Sequence, residues 1–455
     1  MKIFALVRDT FKDKSFLRRT ADFSLSVILT YVLTTVTNLV DTMMVGTLGE
    51  VSISAVGLAN KFFYVFTSVV FGVHSGAGLL MAQYYGAGNE DNVRKTFSLG
   101  FIINIFCGLL FFVVATFFPG LIMGIFTTSP ESTAAGIMYL RASGLSYLLF
   151  AVSSILSSFL KSTYRVKVTA VSSIVSILSN VFFNYCLIYG AFGFPALGIV
   201  GAAIATVLAR FAEMMILVGF IVAKDKILKA KLSHFFGWSP EFTAKFIKCS
   251  VPIMINEVLW GLGTSLYYVG YGHMGDKATA VVTITDNVIK IFNTAANGLA
   301  SASLVLLGME LGAGKVKEAW DHSRKLIVLG ICIALMCSAT ILLIRVPVMG
   351  FFDVSEEVFN GAVGCMGVYA CTIPFYYVYC IVIVGILRSG GDSKASMVLD
   401  SSGVWFVALP LVLLGAFVWK LPIVAVYALS LLEEVLKTFA CLIRYRKKKW
   451  LRNLT

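Results

Sequence analysis

Asn38-Leu39-Val40-Asp41-Thr42-Met43-Met44-Val45-Gly46-Thr47-Leu48-Gly49-Glu50 closes an apolar run of helical length and plants one carboxylate, Asp41, near its end. At helical spacing Tyr31, Thr34, Asn38 and Asp41 share a face, whereas Leu29, Leu33, Val36 and Val40 fall largely on the others. A carboxylate at the centre of a bilayer helix costs about 2.5 to 3.5 kcal/mol on insertion scales, so a membrane protein that keeps one usually handles an ion or a substrate with it. The polar face is expected to line an internal cavity.

Working outward, the composition fits that setting. Of 455 residues, 58% are apolar and 13% charged, and the mean hydropathy is +0.87, outside the range of soluble globular chains. The apolar runs are long and show no strand alternation, so the fold class is an all-α membrane protein. Nine cysteines, an odd number, lie inside or at the ends of these runs and read as small apolar residues. No metal motif, nucleophile elbow or phosphate loop is present, which disfavours an enzyme. The N-terminal stretch is basic and lacks the short apolar region of a removable signal.

Twelve transmembrane helices are expected, at 21–43, 54–82, 96–118, 133–160, 168–190, 196–222, 249–272, 278–308, 326–346, 358–387, 396–418 and 422–443. With both termini on one side, that side collects 29 of the Lys and Arg residues and the other only Lys277, Arg345 and Lys420. The asymmetry places the termini in the cytoplasm and explains the net charge of +13 by topology rather than by nucleic-acid binding. The expected location is the inner (plasma) membrane, with the basic run Arg444 to Lys449 at the anionic leaflet.

The chain also repeats itself. A shift of 226 residues superposes Gly46 on Gly272, Gly49 on Gly275, Phe66 on Phe292, Ser75 on Ser301 and Gly86-Ala87-Gly88 on Gly312-Ala313-Gly314. Two pseudo-symmetric six-helix lobes follow, at 1–223 and 249–455, joined by a basic cytoplasmic linker at 224–248. Six is even, so both halves enter from the same side, a plan suited to a transporter with alternating access.

These features carry a resemblance. Val40-Asp41-Thr42-Met43-Met44-Val45-Gly46, the two Gly-Ala-Gly loops, Tyr139-Leu140-Arg141, Leu387-Arg388-Ser389-Gly390-Gly391-Asp392, and Asn180 with Asn184 ahead of Phe194-Pro195-Ala196-Leu197-Gly198 resemble the multidrug and toxic compound extrusion (MATE) family over nearly the whole chain. The resemblance implies a bacterial multidrug efflux type of antiporter. Organic, often cationic, compounds would leave in exchange for inward H+ or Na+, with no other cofactor. It also implies an ion site at Asp41, Asn180 and Asn184 in the first lobe and at Glu257 in the second, with Asp41 and Glu257 as Na+ ligands if sodium is the coupling ion. Two positions depart from the family pattern: Ser26 stands where a proline is common, although its repeat partner Pro252 is kept, and Tyr377 stands where one branch has aspartate.

The residues themselves add further candidates. Asp286, Lys290, Asn293, Asn297 and Ser301 form a polar seam along one helix. Asp286 and Lys290 can pair at i, i+4, either as a structural ion pair or as a second ion station. Arg210 with Glu213 and Glu433 with Lys437 read as structural pairs, and Asp400 as a cap, a lock or a site. Substrate contact is expected from Tyr31, Asn38, Trp260, Tyr268, Lys290, Tyr376 and Tyr377, because π faces and apolar walls hold lipophilic cations. The expected partners are a small organic molecule and membrane lipid, with the chain a monomer. A lipid-linked saccharide flippase of similar architecture is the alternative; its cavity would be more basic than one holding Asp41, Glu257 and Asp286.

Overall fold

A computed structural model describes residues 2–127, 129–229, 235–352 and 354–455, with the side chains of residues 2–5, Asn38, Leu39 and Glu50 outside the described set. Among the described residues all regular structure is helical. An amphipathic helix α1 (Lys2–Lys12) leads into α2 (Lys14–Gly46), α3 (Glu50–Gly86), α4 (Glu90–Phe117), the short α5 (Pro119–Phe126), α6 (Pro130–Ser143), α7 (Leu145–Ser162), α8 (Val166–Tyr189) and α9 (Ile199–Lys224). The second half follows with α10 (Pro240–His273), α11 (Asp276–Gly312), α12 (Val316–Met349), α13 (Glu356–Cys380), α14 (Ser393–Gly403), α15 (Leu409–Leu413) and α16 (Ile423–Arg446).

Every expected span coincides with helix. The fourth is divided at Gly144 into α6 and α7, and α13 runs on through a π-helical stretch, Ile381–Leu387. Two more such stretches, Val404–Ala408 and Leu414–Val418, flank α15. Among the described residues, 11 helices are long and apolar enough to cross a membrane. The twelfth expected span forms as α16, and its Glu433, Glu434, Lys437 and Arg444 set it apart from the rest.

Turn chemistry repeats with the sequence. Gly88 and Gly314 adopt φ of +72° and +74° just past α3 and α11, a conformation costly for residues with a Cβ. Asn89 then caps α4, its side chain accepting from the Asn92 amide at 3.0 Å.

Contacts divide the chain into two compact units that interleave in sequence, Leu29–Met254 on one hand and Met1–Ile28 with Ile255–Thr455 on the other. Thus α2 and α10 each give their first half to one unit and their second half to the other. The reason lies in small residues. A Cβ at Gly72 would come within 2.3 Å of Met254, and one at Gly298 within 2.4 Å of Ile28. Both pairs lie one repeat period of 226 residues apart, so the same close crossing is built twice. Both helices stay continuous through these points, with Pro252 inside α10 and Ser26 bonded back to the Asp22 carbonyl at 2.8 Å.

Lipid tails are as apolar as leucine, so close packing rather than water exclusion holds each unit together. In the Leu29–Met254 unit, α3 packs on α4, α6 and α7, and α8 pairs with α9. Buried Phe66 meets the rings of Phe111 and Tyr147 at 5.1 Å each. In the other unit α13 packs against α11, α12 and α16. The C-terminal tail is fastened there by buried Trp450, stacked on Tyr445, and by a two-pronged Arg444–Asp392 bond of 2.7 and 2.8 Å.

Candidate functional site

Two polar clusters interrupt the apolar packing, one in each unit. The first is built on α2 and α8. Ser173, Ser176, Asn180 and Asn184 follow one another at helical spacing and are all buried. Ser176 donates to the Ala209 carbonyl at 3.2 Å, which turns the stripe toward α9. Asn184 then donates its amide both to Asp41 Oδ1 at 2.5 Å and to Asn180 Oδ1 at 3.2 Å. Asn184 Oδ1 is buried without a hydrogen-bond partner, and an orphaned buried acceptor of this kind costs about 1–3 kcal/mol.

No ion pair is made by Asp41 among the described residues. The nearby cation, Arg210, is spoken for: it binds Glu213 at 2.9 Å and lies over the Phe150 ring at 5.0 Å. Asp41 is therefore held by a neutral donor. The structure brings Asp41, Asn180 and Asn184 together, and their oxygens are of the hard type that a small cation or a proton takes.

The second cluster departs from expectation. Glu257 on α10 is half-buried, and Arg388 Nη2 donates to its Oε1 at 3.1 Å. The arginine of the Leu-Arg motif, read in the sequence as a family marker, is thus the counter-ion of this acid. It is 1% exposed, and its Nε and Nη1 have no hydrogen-bond partner. Beside it, Asn256 donates to Asp400 at 2.9 Å and accepts from Ser401 at 2.9 Å. Lys437 lies between Asp400 at 2.9 Å and Glu433 at 3.0 Å, and Tyr267 donates to Glu433 at 3.3 Å. Asp400 is therefore not a helix cap; it joins Asn256 to Lys437, and Glu434 is buried on the same helix as Lys437. Asn256, Arg388 and Glu434 were missed as site residues because no spacing on a single helix connects them; the polar density of α16 is the one signal in the sequence.

The polar seam of α11 also resolves differently. Asp286 accepts from the Tyr268 hydroxyl at 2.6 Å, and no ion pair with Lys290 forms among the described residues. Lys290 is exposed. A phenol on the neighbouring α10 takes the carboxylate in place of the i, i+4 partner. Farther along, Asn293 accepts from Tyr369 at 2.5 Å and Asn297 faces Cys380 at 3.6 Å, so this part of the seam joins α11 to α13.

Of the aromatic candidates, Tyr31, Trp260 and Tyr268 are exposed on α2 and α10. Tyr376 is half-buried and meets Tyr379 edge-on at 5.3 Å. Tyr377 is fully buried and donates to the Phe292 carbonyl at 2.8 Å, a packing placement. The Asn38 side chain lies outside the described residues.

Against this geometry, a model of the MatE family matches residues 26–186 and 252–414, one segment in each half. The chain belongs to the MATE family. As a MATE protein it is a multi-pass membrane transporter rather than an enzyme. The uncharacterized transporter YisQ of Bacillus subtilis is 22% identical over 416 residues, covering 91% of this chain and 90% of that protein. The probable multidrug resistance protein NorM of Thermotoga maritima is 22% identical over 413 residues, covering 90% and 88%. The fold is also that of a crystallised Vibrio cholerae MATE transporter, with a TM-score of 0.88 at 16% identity over 96% of this chain and 98% of that one.

Proposed function

We propose that this MATE transporter is a secondary active antiporter that exports organic, often cationic compounds in exchange for inward H+ or Na+, through alternating access of its two related halves. The observation that carries the reading is the setting of Asp41: a carboxylate held by an asparagine amide instead of a cation. A neutral donor leaves the negative charge in place, so a cationic substrate and a coupling ion compete for it. Uptake of the ion cancels the attraction for the substrate, and that competition makes the exchange obligatory.

The same cluster accommodates either ion. A proton on Asp41 would convert it from acceptor to donor, and the orphaned Asn184 Oδ1 is the acceptor such a hydroxyl needs. Sodium would require that oxygen together with Asn180 Oδ1 and the carboxylate. The membrane potential adds about 2.3 kcal/mol per inward charge per 100 mV. Exposed Trp260 and Tyr268, both on α10, supply π faces for a flat cation. Multidrug resistance, named for the Thermotoga relative, is the substrate range proposed here. The protein would act as a monomer in the cytoplasmic membrane, with both termini inside.

Uptake of ethidium into inverted proteoliposomes, measured against separately imposed H+ and Na+ gradients, tests this. Uptake driven by one gradient and abolished by its collapse is expected; uptake indifferent to both would overturn the antiport reading.

A further inference from the structure

We propose that the buried cluster around Lys437 is a second proton-carrying site of this chain, in which Glu434 is the carboxyl that gains and loses the proton. Three acids, Glu257, Asp400 and Glu433, are paired with two cations, Arg388 and Lys437, and a fourth, Glu434, is buried next to Glu433 on α16. The contacts assign those cations. Arg388 serves Glu257 at 3.1 Å, and Lys437 divides itself between Asp400 and Glu433 at 2.9 and 3.0 Å. Glu434 is left over: among the described residues it makes no ion pair, it is 6% exposed, and its Oε2 has no hydrogen-bond partner.

The groups that face Glu434 make a charged carboxylate expensive there and a neutral carboxylic acid acceptable. On α16 they are Glu433, Lys437 and Tyr427; from α13 they are Tyr369, Tyr376 and Tyr379, while the Thr372 hydroxyl donates to the Tyr369 carbonyl at 3.2 Å. An isolated ionised carboxylate is tolerated in such a place only with a counter-ion. The one cation within a helical turn, Lys437 at i+3, already has two partners, and the Tyr379 ring packs against its ammonium at 5.2 Å. Gly403 supplies the room: a Cβ there would lie 2.4 Å from the Lys437 side chain.

The step is a proton exchange with water. A proton from the aqueous phase binds Oε2 of the Glu434 carboxylate, one O–H bond forms, and the reverse step returns it. When Glu434 is neutral, Lys437 is balanced by Asp400 and Glu433. When it is ionised, it draws on Lys437 and loosens the bonds to Asp400 and Glu433. Thr438, one residue on, ties α16 to the Phe375 carbonyl of α13 at 2.9 Å, so a shift of Lys437 acts on the helix that carries Arg388. The site is distinct from Asp41 in sequence and in unit, and its existence does not depend on the antiport reading.

Infrared difference spectroscopy between acid and alkaline pH, on the purified full-length protein in lipid, reads buried carboxylic acids through their C=O stretch. The wild type should show such a band disappearing at alkaline pH. Glu434→Gln should lose that component, Glu434→Asp should shift it, and Asp41→Asn should retain it. A Glu434→Gln spectrum superimposable on the wild type, or loss of the whole signal in Asp41→Asn alone, would overturn the proposal and leave the network a fixed structural ion cluster. If Glu434→Gln does not fold, the shift in Glu434→Asp decides, and an unshifted band there counts against the proposal.

Discussion

Asp41 and Glu257 each lie on a long helix that opens the membrane part of its half, but at different levels, for the repeat superposes Asp41 on Tyr267 and Glu257 on Tyr31; they are also held in opposite ways. Asp41 rests on the Asn184 amide, which also binds Asn180, and among the described residues it has no ion pair. Glu257 rests on the buried guanidinium of Arg388, and its chain neighbour Asn256 reaches the Lys437–Asp400–Glu433 ion pairs. A carboxylate satisfied by amides keeps its charge available to a passing cation. One satisfied by arginine has spent it. Gene duplication gave the halves one helical plan and one set of turns; it did not give them one electrostatic design.

The sharpest way to break this comparison is to remove a cation from the crowded side. Lys437→Met leaves Asp400 and Glu433 buried without their shared partner, and the loss of stability should be about 3–5 kcal/mol. Thermal unfolding in detergent would show it, with partial recovery at acid pH as the carboxyls protonate. If the melting point does not move, the network is less closed than its geometry indicates. On the sparse side the same logic predicts less. Asn184→Leu removes the donor that holds Asp41, a hydrogen bond to a charged group worth about 1.5–3 kcal/mol. Its signature should be mainly functional, a loss of gradient-driven uptake that exceeds the loss of folded protein.

The sequence made the helices legible because bilayer spans announce themselves by length and apolarity, and a 226-residue repeat is visible without structure. Four-residue spacing put Asn180 and Asn184 on one face of α8, and the resemblance to the MATE family joined them to Asp41. Partner choice was not legible. Asp286 with Lys290 and Glu433 with Lys437 have the same i, i+4 spacing, yet among the described residues only the second pair forms, because Tyr268 captures Asp286 and Asp400 joins Lys437 from another helix. Spacing constrains one helix; it says nothing of what the neighbouring helix brings. The exchange of half-helices was hidden for a similar reason. Gly72 and Gly298 look ordinary until Met254 and Ile28 are placed against them.

The smallest effect belongs to a pair outside the membrane that serves as a control for both clusters. Lys325 binds Asp13 at 2.5 Å, and that hydrogen bond, opposed by partial burial, holds the Asp13 carboxyl down at about 2 from its ordinary 3.8. Because the folded value lies below the unfolded one, the stabilisation is complete above about 3.8 and lost as pH falls toward 2. A partly exposed pair contributes less than about 1 kcal/mol. Asp13→Asn should therefore lower stability slightly at neutral pH and not at all near the acid limit, as read by melting curves across that range. An effect as large as that of Lys437→Met would erase the distinction between surface and buried pairs drawn here.

Obligatory exchange requires competition at Asp41. Equilibrium binding of ethidium to the purified transporter, titrated against H+ and separately against Na+, measures it directly. The wild type should bind the dye less tightly as the coupling ion rises, and Asp41→Asn should bind weakly with no such dependence. If Asp41→Asn keeps the wild-type affinity and the same ion dependence, the exchanged charge resides elsewhere and the central claim is contradicted.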